Sequence, residues 1–540
     1  MLKSFLITAW CAVAVTISNS ATLTILAPYY GHYLSSQVLP SAHLIASITL
    51  LLFSWIWRIF SKRYNHHYLI ALTPAVIVSI PSFASETAAF SGNLGPHVGP
   101  VVSGLPAILA TSFVLVWISS KYGLVQSGLF VLLIAKAGPH ITSWIHSTIP
   151  MLSCFAISIA AIMMAIVMVS TYSSADSSAR HSSRIGSMKV ISLLVIIPLA
   201  VGLYANNMSG SIRQCSHSQL SNREPDGKIA DYQVLARRES VTGYVAVVNS
   251  PTEFGTIRLL RCDHSILGGV YLQYDHDSIF GSFYILDFVR FIKRDVPNSG
   301  DNVISALQLG LGVGITASTL TRVGVVVDVV ELDPAVYEYA REYFNLPLPN
   351  RVHIGDGRVF IDDLATENSY DYVLHDVFTG GIVPGTLFSV EAITAVNRIL
   401  KPNGILALNY VGRLDTNATS AVLKTIKAVF PFIQGYVESN AAMEKNASGD
   451  LYNMVFFASH APIEFSDPAE KDLQVGGVYA DMLRNFKNLR IDDAMLDSHH
   501  SIEVITDLYN PLAQLQVESA YQHWKVMRQL FPSEFWALLF

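Results

Sequence analysis

Two neighbouring segments carry the clearest structural signal in the chain: Ala306–Gly314, ALQLGLGVG, and Val325–Pro334, VVVDVVELDP. The first is typical of a buried strand that runs into a glycine turn and a helix, and the second of a buried strand that ends in acids. An open α/β sheet builds a nucleotide pocket from this succession, because glycines let the backbone approach a ligand closely. The two segments therefore predict a domain that handles a nucleoside-bearing small molecule.

Strands and helices alternate regularly around these segments, which predicts a parallel sheet covered by helices on both faces. The candidate strands are 304–310, 325–331, 351–354, 371–377, 404–410, 432–438 and 453–459. The candidate helices between them are 314–322, 334–344, 358–365, 387–400 and 416–429. Ahead of this domain, β-rich segments predict a small antiparallel sheet over 241–249, 255–261 and 268–273. The residues after 465 read as helices, with a break at Asn510-Pro511.

The composition predicts a chain that is partly embedded in lipid, because 51% of its residues are hydrophobic and only 14% are charged. Apolar runs near the length of a spanning helix recur at 4–27, 42–60, 68–86, 100–119, 126–147, 149–171 and 188–206. The run at 126–147 is the weakest, because Lys136, Pro139 and His140 interrupt it. We therefore expect an integral, multi-pass membrane protein with six or seven spans, in contact with the lipid bilayer.

The side of the membrane that the second half occupies stays open. The distribution of Lys and Arg places the N-terminus in the cytosol, so seven spans put the second half outside or in a lumen and six put it in the cytosol. A formal net charge of -6 gives no basic footprint for nucleic acid. The four cysteines form neither a disulfide framework nor a zinc pattern, so no metal is expected. Whether Cys215 and Cys262 pair stays open, as does a homodimer.

The first candidate binding elements are the glycine loop Gly310, Gly312 and Gly314, and the acids Glu331 and Asp333 at the end of the second strand. The spacing of the glycines is not that of a dinucleotide fingerprint, so the loop alone is a weak signal. An acid at the tip of the next strand makes the combination more specific, because Glu331 there can accept hydrogen bonds from two ribose hydroxyls.

Two further elements follow at the ends of later strands. Asp356 and Gly357 come directly after the short strand VHI, where an acid can accept a hydrogen bond from an adenine amino group. Asp376 ends the buried strand YDYVLHD, at the sheet edge where open sheets bind ligands. A carboxylate there can take a proton from an amine, so Asp376 is the candidate catalytic base. The neighbouring His375 is expected on the opposite face, in a structural role.

Read together, the glycine loop, ELD, GDG and Asp376 stand in the order of the spermidine synthase family of aminopropyltransferases, which the chain resembles over roughly 240–412. The entry strand Ser240–Tyr244 and the hairpin Leu260–Asp263 fit the same family. The resemblance implies that the donor is decarboxylated S-adenosylmethionine, or S-adenosylmethionine, and that the acceptor is a small-molecule amine. It also implies that Glu331 holds the ribose, that Asp356 holds the adenine and that Asp376 is the base.

The resulting fold class is an N-terminal α-helical transmembrane bundle followed by a small antiparallel β-sheet and an α/β Rossmann-like domain of the class I S-adenosylmethionine methyltransferase type. The expected boundaries are 1–206 for the bundle, 207–300 for the linker and small sheet, 301–462 for the catalytic domain and 463–540 for a helical extension. The resemblance further implies the membrane-fused branch of the family, whose substrates the sequence does not specify.

Two positions depart from the family pattern, and they keep other functions open. Val313 and Thr379 stand where the family carries acids that grip amine nitrogens. Losing two carboxylates weakens the attraction for a dicationic substrate by on the order of 1 kcal/mol or more each. The first hypothesis is therefore a membrane-anchored, spermidine synthase-like aminopropyltransferase in which polyamine synthesis is poor. The alternatives are an S-adenosylmethionine-dependent methyltransferase and a non-catalytic membrane transporter or sensor that binds a nucleoside or polyamine.

Overall fold

A computed structural model describes eleven stretches of the chain, and all structural statements below refer to them. They are residues 2–60, 67–88, 90–148, 153–175, 232–274, 277–294, 303–378, 380–438, 451–474, 476–496 and 502–537. Contacts between residues divide the chain into two units, one of 1–222 with 531–540 and one of 223–530.

The described part of the first unit is helical. Eight helices follow one another from its N-terminus: α1 Leu2–Tyr30, α2 His32–Phe60, α3 His67–Val78, α4 Ile80–Ala88, α5 Ser91–Ser103, α6 Leu105–Tyr122, α7 Leu124–Thr148 and α8 Ser153–Ala175. Among the described residues, three segments are long and apolar enough to cross a membrane, namely Leu2–Tyr30, His32–Phe53 and Ser91–Tyr122. The weak run at 126–147 lies within the uninterrupted helix α7. The run predicted at 188–206 lies outside the described residues.

Packing in this unit leaves one helix with a broad exposed apolar face. The core of the unit buries large side chains such as Tyr29, Tyr30 and Trp117. Within the most apolar 18-residue stretch of His32–Phe53 in α2, by contrast, only 11% of the residues are buried. The exposed apolar side chains on α2 include Leu44, Ile45, Ile48, Leu52, Phe53, Trp55 and Ile56. Such a surface is costly in water, and it suits a lipid environment.

The second unit begins with a five-stranded antiparallel sheet in sequential order. Its strands are β1 Gln233–Glu239, β2 Tyr244–Thr252, β3 Gly255–Cys262, β4 Ser265–Tyr271 and β5 Asp277–Ser278. Three of these are the segments predicted from sequence. Strand β1 was missed, because its polar sequence QVLARRE has no apolar alternation, and it pairs at the edge of the sheet with β2. Helix α9, Ser282–Asp287, then leads toward the main domain.

The main domain is built on a seven-stranded sheet in the order β11-β12-β10-β9-β6-β7-β8. Its strands are β6 Ser305–Leu309, β7 Val326–Glu331, β8 Arg351–Ile354, β9 Tyr370–His375, β10 Leu400–Gly412, β11 Phe432–Val437 and β12 Tyr452–Ser459. β12 runs antiparallel to both β10 and β11, and the pairs from β10 to β8 are parallel. This mainly parallel sheet confirms the Rossmann-like domain of methyltransferase type that the sequence predicts.

Helices cover both faces of this sheet, as the alternating pattern predicts. They are α10 Ile315–Arg322, α11 Pro334–Tyr343, α12 Val390–Ile399 and α13 Asn417–Lys427. Successive residues of a strand enter opposite cores: Ala306 belongs to the core that contains α10 and α11, whereas Leu307 belongs to the core that contains α12 and α13. Both faces of the sheet are therefore buried, and strands buried on both faces need continuous runs of Val, Leu and Ile.

Chain turns at the ends of these strands follow local sequence. Lys401-Pro-Asn-Gly404 forms a bulge at the start of β10, because Asn403 takes a positive φ of 63° and pairing resumes at Ile405. The C-terminal residues form short helices, as expected: α14 Glu470–Leu473, α15 Gly477–Asn485, α16 Asp493–Leu496, α17 Leu512–Leu515, α18 Val517–Leu530 and α19 Ser533–Ala537.

Candidate active site

A cavity of about 540 Å³ opens at the carboxyl ends of the parallel strands. It is bordered by the glycine loop after β6, the tip of β7, the residues after β8 and β9, and the end of β10. Gly310, Gly312, Glu331, Asp356 and Asp376 all line it, and so does Gly357. This edge is where open α/β sheets bind ligands, so six of the residues predicted from sequence converge at one candidate binding site.

Close packing against neighbouring backbone, as well as access for a ligand, requires glycine in the loop after β6. Gly310 has a φ of +78°, and a Cβ there would lie 2.1 Å from the carbonyl oxygen of Asp376. Gly312 has a φ of +56°, and its Cβ would lie 2.7 Å from the carbonyl oxygen of Leu267. Any side chain at either position would therefore displace backbone. Gly314 precedes α10 and does not line the cavity.

Glu331 is buried at the tip of β7 and orders the backbone around it. Its Oε2 accepts a hydrogen bond from the N–H of Leu311 at 2.9 Å, and its Oε1 accepts one from the N–H of Asp333 at 2.9 Å. Each carboxylate oxygen keeps a further lone pair, so two hydroxyl groups can still be bound. Burial raises the pKa of Glu331 to about 7.

Asp333 was expected to bind the donor, but the structure gives it a different position. It does not line the cavity, and its carboxylate accepts hydrogen bonds from Ser240 Oγ at 2.5 Å, Thr242 Oγ1 at 2.6 Å and the N–H of Ala335 at 2.8 Å. It therefore caps α11 and ties the first sheet to the main domain. The acid is fully buried, which leaves no free face for a ligand.

Asp356 and Gly357 lie at the cavity wall after β8. Asp356 is exposed, and its Oδ1 accepts a hydrogen bond from the N–H of Arg358 at 2.7 Å. Arg358 in turn holds Asp507 of the C-terminal segment through two hydrogen bonds of 2.8 Å each. Asp507 is thus engaged in an ion pair with Arg358, and this pairing lowers the pKa of Asp507 to about 2.

Asp376 follows β9 and meets Asn409 on β10. Asn409 Nδ2 donates to Asp376 Oδ1 at 2.8 Å. Burial raises the pKa of Asp376 to about 6, and the hydrogen bond from Asn409 opposes that rise. A carboxylate with a pKa near 6 is ionised at neutral pH and is still basic enough to accept a proton. His375, by contrast, is buried with Nε2 3.0 Å from the carbonyl oxygen of Leu387, in the structural role expected for it.

The two positions that depart from the family pattern have different outcomes. Val313 is buried and packs over β4, since a Cβ on Gly268 would lie 2.7 Å from its Cγ2, and it does not line the cavity. Thr379 lies outside the described residues.

Among the described lining residues the acids are Glu331, Asp356 and Asp376, and none is Lys or Arg. Cys262 lines the cavity with a free thiol, whereas Cys215 lies outside the described residues.

Several cavity residues were missed from sequence. Asn409, Tyr452 and Asn453 come from β10 and β12, and α18 contributes His523 and a set of apolar side chains, Val526, Met527 and Leu530. His523 contacts Phe378 edge to face, with ring centroids 5.3 Å apart, and burial lowers its pKa to about 4. Asn409 could have been noticed as the polar residue in the apolar run ILALNYV, whereas nothing in the sequence of α18 indicates its position.

Comparison with known proteins places these residues in context. Residues 299–484 match the spermine/spermidine synthase domain. The chain is 33% identical over 335 residues to the N-terminal histidine N-methyltransferase of Emericella nidulans, covering 57% of this chain and 59% of that protein. It is 36% identical over 108 residues to the polyamine aminopropyltransferase of Vibrio vulnificus, covering 19% of this chain and 36% of that protein.

The chain thus spans less than two thirds of the length of either relative. A probable spermidine synthase from Corynebacterium glutamicum, known from its crystal structure, superposes with a TM-score of 0.38 at 18% identity. That superposition covers 52% of this chain and 98% of the other.

Proposed function

We propose that the cavity binds an S-adenosylmethionine-type donor and that the protein transfers a group from it to a nitrogen acceptor. The match of residues 299–484 to the spermine/spermidine synthase domain supports this proposal. The glycine loop, Glu331, Asp356 and Asp376 border one cavity in the order of the family motifs. A volume of about 540 Å³ suits a nucleoside-bearing ligand together with part of an acceptor.

The residues present fit such a donor. The glycine loop offers backbone without side chains, Glu331 offers lone pairs to the ribose hydroxyls, and Asp356 lies where it can accept from the adenine amino group. A bound donor of this type supplies an electrophilic carbon attached to a sulfonium sulfur. Asp376 takes the proton that the acceptor nitrogen releases, which leaves a lone pair on that nitrogen for bond formation.

Among transfer reactions, methyl transfer is the one that the cavity supports best. The carrying observation is that the glycine loop brings no carboxylate to the cavity, because Val313 stands where the family pattern has the acid that grips an aminopropyl nitrogen. Methyl transfer needs no carboxylate at that point. The Emericella relative is named for N-methylation of an N-terminal histidine. We therefore propose a nitrogen at the N-terminus of a peptide or protein as the acceptor.

Aminopropyl transfer to an amine, the first hypothesis from sequence, remains the second candidate. The domain match and the Vibrio relative favour it, because both carry the name of polyamine synthesis. In that reaction Asp376 has the same task, and the cationic donor relies on Glu331 and Asp356 for its charge complement.

The nucleoside by-product distinguishes these reactions. Full-length protein in detergent is given either S-adenosylmethionine with a peptide that begins with histidine, or decarboxylated S-adenosylmethionine with putrescine. We expect S-adenosylhomocysteine with a methylated peptide from the first mixture, and slow release of methylthioadenosine from the second. Faster release of methylthioadenosine would select aminopropyl transfer, and no nucleoside from either mixture would contradict a transferase.

The first unit is proposed to anchor the protein in a lipid bilayer. Its three long apolar segments and the exposed apolar face of α2 support this proposal. Spanning helices satisfy their backbone hydrogen bonds internally, so they remain in lipid when peripheral proteins are stripped. We expect alkaline carbonate to leave the full-length protein in the membrane pellet. Its release into the supernatant would contradict the anchor.

A further inference from the structure

The amide of Asn409 has only one orientation that is compatible with its neighbour. An ionised carboxylate can accept hydrogen bonds but cannot donate them, so the group that faces Asp376 Oδ1 at 2.8 Å must be the amide NH₂. The amide oxygen is then turned away from Asp376. The side chain of Asn409 is fixed by its partner rather than free to exchange its two ends.

The amide oxygen lacks any partner of its own in the described part of the chain. Asn409 is only 6% exposed, it lines the cavity, and its buried Oδ1 accepts no hydrogen bond from a described residue. A buried oxygen without a hydrogen-bond partner destabilises the structure that holds it. A polar atom of this kind at a cavity wall is satisfied when a ligand donates to it.

The position of Asn409 selects the acceptor rather than the donor as that ligand. The donor elements follow β6, β7 and β8, whereas β10 lies on the other side of β9. Leu408 pairs with His375, so Asn409 and Asp376 leave adjacent strands at the same level. The loop after Asp376 meets α18 through Phe378 and His523, which closes the cavity on this side.

We infer that Asn409 is an acceptor-binding residue. Its Oδ1 accepts a hydrogen bond from one N–H of the acceptor, while its Nδ2 holds the carboxylate of Asp376 in position to accept from a second N–H. This inference rests on the proposed function and narrows its substrate class. The acceptor must offer at least two N–H donors close together, as a primary amine or an N-terminal residue does. A hydroxyl or thiol acceptor offers only one hydrogen to this pair of groups.

Two substitutions at this position separate its two tasks. Asn409→Leu keeps the branched shape of the side chain and removes both polar ends of the amide, so we expect KM for a peptide that begins with histidine to rise about tenfold or more. Asn409→Asp keeps an oxygen toward the acceptor and sets a second carboxylate beside Asp376, so KM should change little. In both variants Asp376 loses a hydrogen bond that favours its ionised form, and the acid limb of kcat should move to higher pH.

The titratable groups that line the cavity with Asp376 are Glu331, Asp356, Cys262, Tyr452 and His523. None of them contributes to the pKa shift of Asp376, because burial raises this pKa and the Asn409 hydrogen bond lowers it. In Asn409→Leu a shift of the acid limb therefore reports the loss of that bond, whereas in Asn409→Asp the repulsion of the second carboxylate adds to the shift in the same direction.

Asn350→Leu is the matched control. Asn350 Nδ2 donates to Asp328 Oδ1 at 2.7 Å, so an equivalent amide–carboxylate bond is broken outside the cavity. We expect its KM and pH profile to equal those of the wild type. Calorimetry with S-adenosylhomocysteine verifies that every variant is folded and binds the donor product.

The outcomes separate this inference from the function on which it rests. A higher peptide KM in Asn409→Leu, with unchanged affinity for S-adenosylhomocysteine, supports it. An unchanged peptide KM in that variant would overturn the inference and leave the transferase standing. Failure of the wild type to transfer from either donor would overturn both. An Asn409→Leu protein that does not bind S-adenosylhomocysteine moves the decision to Asn409→Asp, whose unshifted acid limb would overturn the inference.

Discussion

Replacing Asp376 by asparagine is expected to slow transfer about 10²- to 10⁴-fold, the usual worth of a positioned general base. Asparagine has nearly the same shape but cannot take a proton from the acceptor nitrogen. The glycine loop and Glu331, which hold the donor, are untouched by this change. Affinity for S-adenosylhomocysteine should therefore stay close to that of the wild type, while single-turnover rates fall.

Asp415→Asn provides the control, because Asp415 is an exposed acid paired with Arg413 after β10 and does not line the cavity. Its rate should equal that of the wild type. Normal turnover in Asp376→Asn would show that the proton is taken elsewhere. Loss of donor affinity in Asp376→Asn would show instead that this acid serves binding rather than proton transfer.

Replacing Glu331 by glutamine is expected to weaken donor binding by about 1–3 kcal/mol, the range for a charged hydrogen-bond partner lost from a site. The carboxylate accepts from two backbone N–H groups and keeps lone pairs for the ribose. Glutamine sets an NH₂ against one of those N–H groups, so the glycine loop also loses support. Calorimetry with S-adenosylhomocysteine measures the change.

The same carboxylate predicts a pH dependence of donor affinity. Burial raises the pKa of Glu331 to about 7 in the free protein. Ribose hydroxyls donate to the ionised form, so protonation competes with the donor, and affinity should fall as the pH drops through 7. In Glu331→Gln this dependence should disappear. Glu338→Gln, at a half-exposed ion pair with Arg238, is the control and should keep the donor affinity of the wild type. An unchanged donor affinity in Glu331→Gln would contradict the assignment of Glu331 to the ribose.

Much of the fold could be predicted because the relevant signals are local. The strands around Ala306 and Val327 are continuous apolar runs, since alternate residues enter two different cores. The glycines after β6 are required by approaches as close as 2.1 Å to the backbone of Asp376. Such runs and turns are legible without knowledge of their neighbours. Strand β1 was missed because its pairing with β2, not its own composition, makes it a strand.

The roles of individual acids were harder to predict than their positions. Glu331 and Asp333 are two residues apart at one strand end, yet only Glu331 lines the cavity. The carboxylate of Asp333 accepts hydrogen bonds from Ser240 and Thr242, which are distant in sequence. The sequence predicts that an acid lies at the sheet edge, but it does not show how many hydrogen-bond donors from distant segments surround that acid.

The acceptor side of the cavity shows the same limit more strongly. Asn409 can be assigned to the site only because the strand register sets it beside Asp376. His523 can be assigned to it only because α18 packs against Phe378. Both contacts join segments far apart in the chain. The donor side is built from consecutive strand ends with recognisable motifs, so it could be predicted, whereas the acceptor side is assembled by tertiary packing.

The pH dependence of single-turnover methyl transfer, at saturating donor and peptide, tests the central role of Asp376 most directly. The pKa of Asp376 is raised to about 6, and only its ionised form can take the acceptor's proton. The rate should therefore rise with pH through about 6 and then level off, and the residual rate of Asp376→Asn should lack this limb. A wild-type rate that is flat across pH 6, or a limb that persists in Asp376→Asn, would contradict Asp376 as the base.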